Sequence, residues 1–203
     1  VAWEQLPLVN YNTIKNVSAK VQAGSLANIQ TFEKVDETDD RVEIVGRDFK
    51  IKFSKKRGTL ESWTWSGKEY LLKGPRPNFW RAPIDNDFGN NMPRRMAVWK
   101  DATDHQKIGK IHVTIKNDLV GIRVSYEYPD IGSKGEMAYN IYGNGSILVN
   151  HSFEPNMPEL PNLPKFGVTM EIPKEFNNLT WFGRGPHENY WDRKSSAKVD
   201  IYS

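Results

Sequence analysis

Cysteine is absent from all 203 residues, which removes disulfides, thiolate nucleophiles and thiolate metal ligands from the chemistry open to this chain. That absence fits a reducing compartment. No apolar run approaches the roughly 18 residues that a membrane helix needs, so no membrane partner is expected. Histidine is scarce, four in all, and scattered without ligand spacing, which argues against zinc. Neither sign of charge dominates. The 28 basic and 25 acidic residues give a net charge of +3, dispersed along the chain and too small to argue for nucleic acid. The opening VAWEQLPLVN has neither the basic start nor the apolar core of a signal peptide. It reads like a segment from within a longer protein. There is no Gly-x-Ser-x-Gly elbow, no glycine-rich phosphate loop, no internal repeat and no βαβ alternation.

Aromatic residues are abundant: seven tryptophans, eight tyrosines and nine phenylalanines. They favour strands, and they also build sugar-binding faces. Period-two alternation is frequent. In FKIKFS the apolar Phe49, Ile51 and Phe53 alternate with Lys50 and Lys52, the pattern of a half-buried strand. A turn at Lys55 to Gly58 and a return strand carrying Leu60, Trp63 and Trp65 make a meander. The same alternation sets Val120, Ile122, Val124, Tyr126 and Tyr128 on one face, then Met137, Tyr139 and Ile141, then Phe166, Val168, Met170 and Ile172. Gly143 to Ser146 reads as a tight hairpin turn with two positive φ values. The segment from Glu154 to Pro164, with four prolines, reads as a rigid crossover. One stretch breaks the period: with Pro93 where a first helical turn accepts it, a short helix is expected over 93–102. The fold class is all-β, a large antiparallel β-sandwich.

Two polar constellations stand out, NFWRAPIDNDFG from Asn78 to Gly89 and GRGPHENYWDR from Gly183 to Arg193. Asp85, Asn86 and Asp87 resemble the start of a calcium loop, but the sixth and twelfth positions are Asn90 and Met96, not the required glycine and glutamate. Glycoside hydrolases use two carboxylates about 5 to 10 Å apart, a range that Asp85 with Asp87, or Glu188 with Asp192, could span. Neighbouring arginines Arg81, Arg184 and Arg193 offer the alternative of internal ion pairs that fix loop geometry. Sugar sites combine an aromatic platform with planar polar side chains. The candidates of the right type are Trp181, Arg184, His187, Glu188 and Asn189 in or just before the second stretch, and Arg81 and Asp85 in the first, with Trp80 beside them as an aromatic of the right type.

Together the two stretches resemble the C-terminal small-chain region, the fifth domain, of the lacZ-type β-galactosidases of glycoside hydrolase family 2. Arg81 to Asp87 matches the family's Arg-Ala-Pro-x-Asp-Asn-Asp, and Gly183 to Arg193 matches Gly-x-Gly-Pro-x-Glu-Asn-Tyr-x-Asp-Arg, with Trp191 where proline is frequent. WEQLPL at Trp3 to Leu8 resembles the end of the preceding immunoglobulin-like linker. The resemblance implies residues 1–12 as the tail of that linker, and 13–203 as a β-supersandwich similar to galactose mutarotase, incomplete at its C-terminus. It also implies a parent enzyme that hydrolyses terminal β-galactosides with retention, through two glutamates of a separate TIM barrel. No catalytic residue is then expected here, nor any cofactor or metal, the family's magnesium and sodium being bound elsewhere. The implied partners are a β-galactoside or other carbohydrate, the remaining domains of the parent enzyme, and further copies in a homo-oligomer.

On this reading the Gly183 to Arg193 loop is a structural corner in which Glu188, Asn189, Asp192 and Arg193 satisfy one another and buried backbone, with breakage costing several kcal/mol as for a buried ion pair. A sugar-contacting loop is the alternative. Beside the scaffold role stand two others, an autonomous galactoside-binding module and a mutarotase-like epimerase using His187 and Glu188 as acid and base.

Overall fold

A computed structural model describes residues 30–156, 158–190 and 193–203. The linker motif at Trp3 to Leu8, the boundary near residue 12, and Trp191 and Asp192 lie outside the described residues. The chain divides into two compact units, one of Ile29–Pro173 and one that includes Lys174–Ser203.

Within Ile29–Pro173 the first five strands form a meander, β1 (Lys34–Glu37), β2 (Arg41–Val45), β3 (Phe49–Ser54), β4 (Thr59–Trp65) and β5 (Lys68–Glu69), paired antiparallel in that order. The odd spacing of Leu60 and Trp63 has a local cause. The β3–β4 register shifts beside Lys52, so that Leu60 faces Phe53 while Ser62 faces Lys52. The extra residue, Glu61, restores Leu60 and Trp63 to one side. Ser66 and Gly67 take positive φ in the turn to β5, and Gly58 does so in the turn before β4.

β6 (Lys73–Asn78) carries Pro75 and Pro77, which cannot donate to a ladder. Accordingly, among the described residues it pairs with one strand alone, β11 (Gly167–Glu171). Three short helices follow it: α1 (Asp85–Gly89), α2 (Met92–Arg95) and α3 (Val98–Asp101). The helix expected over 93–102 is therefore broken, with Pro93 in the first turn of α2 as anticipated and an interruption at Met96 and Ala97. Buried Met92, Trp99 and Ala102 hold these turns down. α1 was not expected, because Asp-Asn-Asp reads as loop. Acidic residues in a first helical turn are nonetheless favourable, and the Asp87 carboxylate accepts the Ile84 N–H at 2.9 Å, a donor that would otherwise lack a partner.

β7 (Lys107–Ile115), β8 (Leu119–Tyr128), β9 (Ser133–Tyr142) and β10 (Ile147–Glu154) form an antiparallel sheet in the order β10-β9-β8-β7. In the β9–β10 turn only Gly145 takes positive φ, at 79°. Asn144 instead accepts the Ser146 N–H through its side chain. Every alternating residue from Val120 to Tyr128, with Met137, Tyr139 and Ile141, is almost completely buried. These join Val42, Ile44, Ile51, Phe53 and Leu60 of the meander in one core. That shared interior makes the unit an antiparallel β-sandwich.

Two buried tyrosine hydroxyls find partners across it, whereas that of Tyr128 has none among the described residues. Tyr126 Oη donates to Gly58 O at 2.7 Å and Tyr139 Oη to Pro75 O at 3.3 Å. Burial pushes the Tyr139 phenol up to about 12, so both serve as fixed hydrogen-bond groups. β11 obeys the expected alternation in its backbone but not in its burial. Phe166, Val168, Met170 and Ile172 are all exposed, although β11 is paired with β6.

In the second unit β12 (Trp181–Gly185) pairs antiparallel with β13 (Lys198–Tyr202), from Trp181 opposite Tyr202 to Gly185 opposite Lys198. The Trp181 and Tyr202 rings pack with centroids 5.3 Å apart. Gly185 is a position where close approach demands glycine: an added Cβ would lie 2.8 Å from the Tyr202 ring and 3.0 Å from Trp181.

Candidate functional site

The seven candidate residues fall into two groups, one on each unit. In Ile29–Pro173, Arg81 extends its guanidinium fork onto Asp87. One nitrogen donates to Oδ1 at 2.9 Å and the other to Oδ2, which also accepts the Ile84 N–H. The arginine binds the Pro164 and Ala82 carbonyls as well, both at 3.3 Å. The Asp87 side chain is 9% exposed and that of Arg81 21%. The Arg81 hydrogen bonds, with the Ile84 N–H, hold the Asp87 carboxyl below its ordinary value. It is a fixed anion and a poor general acid. Asp85 is exposed at the start of the same helix, and residues i and i+2 of a helix do not face each other. The Asp85–Asp87 pair therefore does not form a facing acid–base couple. Nor does Asp-Asn-Asp fit a calcium ion, since both Asp87 oxygens are already occupied by donors. Among the described residues no three His, Asp or Glu converge to hold a metal. His151 behaves as an aromatic core residue, stacked on Phe166 at 4.5 Å, and burial lowers its pKa.

Beside this corner lies a cleft of about 420 Å³ between β6, α3 and β11, reached by Trp80 and Arg81. Its walls carry two ion pairs, Arg76–Asp104 at 2.7 Å and Lys73–Glu171 at 2.6 Å. Thr103 lines it, nearly buried, with its hydroxyl lacking a hydrogen-bond partner among the described residues. An indole with planar charged groups can hold a hydroxyl-rich ligand. Sequence reasoning found Trp80 and Arg81 but missed Arg76, Asp104 and Thr103. The Pro-Arg-Pro of β6 was the available signal, because prolines leave that strand an unpaired edge beside which a cleft can open.

In the second unit the loop after β12 closes mainly on its own backbone. Arg184 donates to the Lys194 and Ala197 carbonyls, each at 2.8 Å. Trp181 Nε1 donates to Arg184 O at 3.2 Å, and the Asn189 amide reaches the same carbonyl at 3.5 Å. His187 Nδ1 donates to the backbone carbonyl of Glu188 at 2.8 Å, so the acid–base pairing of the epimerase reading is replaced by a backbone contact. Glu188 pairs with Arg193, but at side-chain exposures of 46% and 49%. The expectation of a costly buried pair is thereby corrected. Solvent screens both charges, and such pairs contribute about 0 to 1 kcal/mol. Arg193→Ala is expected to lower stability by less than about 1 kcal/mol, a fall of no more than about 2 to 4 °C in melting temperature by calorimetry. Arg184→Ala, which strips two carbonyls of their donor, should cost more.

A two-layer antiparallel β-sandwich whose Arg-Ala-Pro-x-Asp-Asn-Asp segment is locked as an internal corner defines the class of protein. Residues 45–203 match the family model described as the beta galactosidase small chain, and the chain belongs to that family. It is similar to the β-galactosidase of Priestia megaterium, 35% identical over the whole of this chain and 19% of that protein. To the β-galactosidase of Clostridium acetobutylicum it is 34% identical, over 86% of this chain and 20% of the relative. For that of Lactobacillus delbrueckii subsp. bulgaricus the identity is 33%, over 82% and 16%. The chain thus spans about a fifth of the length of the relatives it matches.

Proposed function

We propose that the chain serves as a β-sandwich domain of a β-galactosidase that hydrolyses terminal β-galactosides, completing the enzyme's architecture while the catalytic carboxylates stand in another domain. The observation that carries this reading is the Arg81–Asp87 corner, in which the most polar motif of the sandwich is spent on its own backbone and charges. Its partners on this reading are the remaining domains of the enzyme and further copies in an oligomer, and the magnesium and sodium of such enzymes are assigned elsewhere. The 203-residue chain alone is expected to leave a chromogenic β-galactoside intact, whereas the same residues within the complete parent polypeptide support turnover. Hydrolysis by the isolated chain would overturn the assignment.

A second reading, a galactoside-binding module, is favoured by the cleft beside Trp80 and Arg81. Ligand-observed NMR of the chain against galactose, lactose and glucose separates the two. Saturable, galactoside-selective binding that disappears in Trp80→Ala or Trp181→Ala supports the module. Indifference to all three sugars leaves the scaffold role.

A further inference from the structure

On the outer face of the four-stranded sheet, opposite the buried Val120 and Ile122, Gly121 sits in the middle of β8. Thr114 of β7 and Asn140 of β9 stand directly across from it. Leu119 and Arg123 flank it on its own strand, and His112 faces Arg123. These side chains and Lys116 ring a hollow of about 170 Å³ whose floor is the glycine.

Nothing in the fold requires glycine there. Its φ lies outside the left-handed region, and an added Cβ would meet only Asn140 Oδ1, at 3.6 Å, an ordinary contact. Gly109 and Gly135 on the neighbouring strands differ, since a Cβ would come within 2.6 and 2.9 Å of Ser125 and Ser152 atoms. Glycine weakens a strand interior and commonly marks a place where a ligand approaches the backbone. The charges around the hollow are equally unbalanced. At the other end of this face Lys107, Glu127, Lys134 and Glu154 alternate in sign across the four strands. Around Gly121, Lys116 and Arg123 have no ion-pair partner among the described residues, and both line the same hollow. An anion in the hollow would give both cations a partner.

We propose that the Gly121 hollow is a binding site for a small tetrahedral oxyanion, inorganic phosphate or the phosphoryl group of a sugar phosphate. Arg123 offers its fork to two oxygens, Lys116 supplies a second charge, and Thr114 and Asn140 supply neutral donors. The open glycine floor lets the anion settle against the sheet. The hollow is too small for more than the anion itself, so a larger ligand must project into solvent.

The test is a ¹⁵N-correlation titration of the 203-residue chain with inorganic phosphate and, separately, glucose 6-phosphate, at ionic strength held constant with chloride. Saturable shifts are expected at the amides of Thr114, Gly121, Arg123 and Asn140. Gly121→Val fills the hollow with a strand-favouring side chain and should abolish them without lowering the melting temperature. Arg123→Gln should weaken binding about tenfold or more, as removal of a charge-assisted hydrogen bond implies, and gives the reading should the valine variant fail to fold. Tighter binding of the hexose phosphate would identify the sugar-borne group as the ligand, and equal binding the free ion. Shifts that do not saturate, or that survive in both variants, would overturn the site.

Discussion

Replacing Phe79 by alanine is expected to destabilise the sandwich by about 3 to 5 kcal/mol, the usual range for removing a buried aromatic ring. Phe79 is fully buried and lies at the centre of an aromatic cluster. Its ring centroid is 4.8 Å from that of Phe153, 5.3 Å from Tyr128, 5.8 Å from Trp99 and 5.9 Å from His151. Such a site collapses poorly. Tyr128 and Phe153 are held on the strands of one sheet, and Trp99 is pinned by its Nε1 bond to Pro161 O at 3.0 Å. Most of the cavity should therefore persist, and the loss should fall toward the upper end of the range. For a chain of this size the melting temperature should drop by on the order of 10 °C. Because Phe79 immediately precedes Trp80 and Arg81, its removal should also loosen the cleft wall, seen as broadened Trp80 indole signals. A variant that melts within about 2 °C of the parent would show that the cluster does not anchor the sandwich.

The sandwich was legible where the chemistry is periodic. From Val120 to Tyr128 one face of β8 is apolar at every second residue, and a slip of one position would bury Arg123 and Glu127, so register and burial follow together. β4 was legible only in part, since the residue that restores its phase, Glu61, looks like any surface glutamate. The alternation of β11 predicted a strand correctly but could not reveal that its apolar face would be exposed, because burial depends on what a strand packs against and not on its own period. In the polar stretches, residue types indicated that Arg81, Asp87, Arg184 and Glu188 would bond locally, but not which charges would be removed from water. The same arginine–carboxylate chemistry is buried at Arg81–Asp87 and exposed at Arg193–Glu188. Sequence reasoning assigned the higher cost to the second pair. The difference is set by what the fold packs around each pair, which residue types alone do not specify.

Asp87→Ala is expected to cost about 3 kcal/mol or more, the range for leaving one member of a buried ion pair alone. The substitution strands the Arg81 guanidinium and the Ile84 N–H together. Asp87→Asn retains an acceptor for Ile84 but loses the charge-assisted fork, and Arg81→Lys keeps the charge but cannot reproduce two parallel bonds, so both should fall between the parent and the alanine variant. In a double-mutant cycle, Arg81→Ala with Asp87→Ala should cost clearly less than the sum of the single changes. The pH dependence carries an independent signature. The folded-state pKa of Asp87 is depressed, chiefly by the Arg81 hydrogen bond. Its contribution is therefore fully present above the unfolded carboxylate value, near 3.9, and is lost as pH falls through the lower folded value. Denaturation of the parent in urea at a series of pH values should show this acid-side decline, and Asp87→Asn should flatten it. If the alanine and asparagine variants match the parent in midpoint and in pH profile, the Arg-Ala-Pro-x-Asp-Asn-Asp segment is not the fold's corner. The reading would then pass to the galactoside-binding module, with Arg81→Ala expected to abolish sugar binding while leaving the melting temperature unchanged.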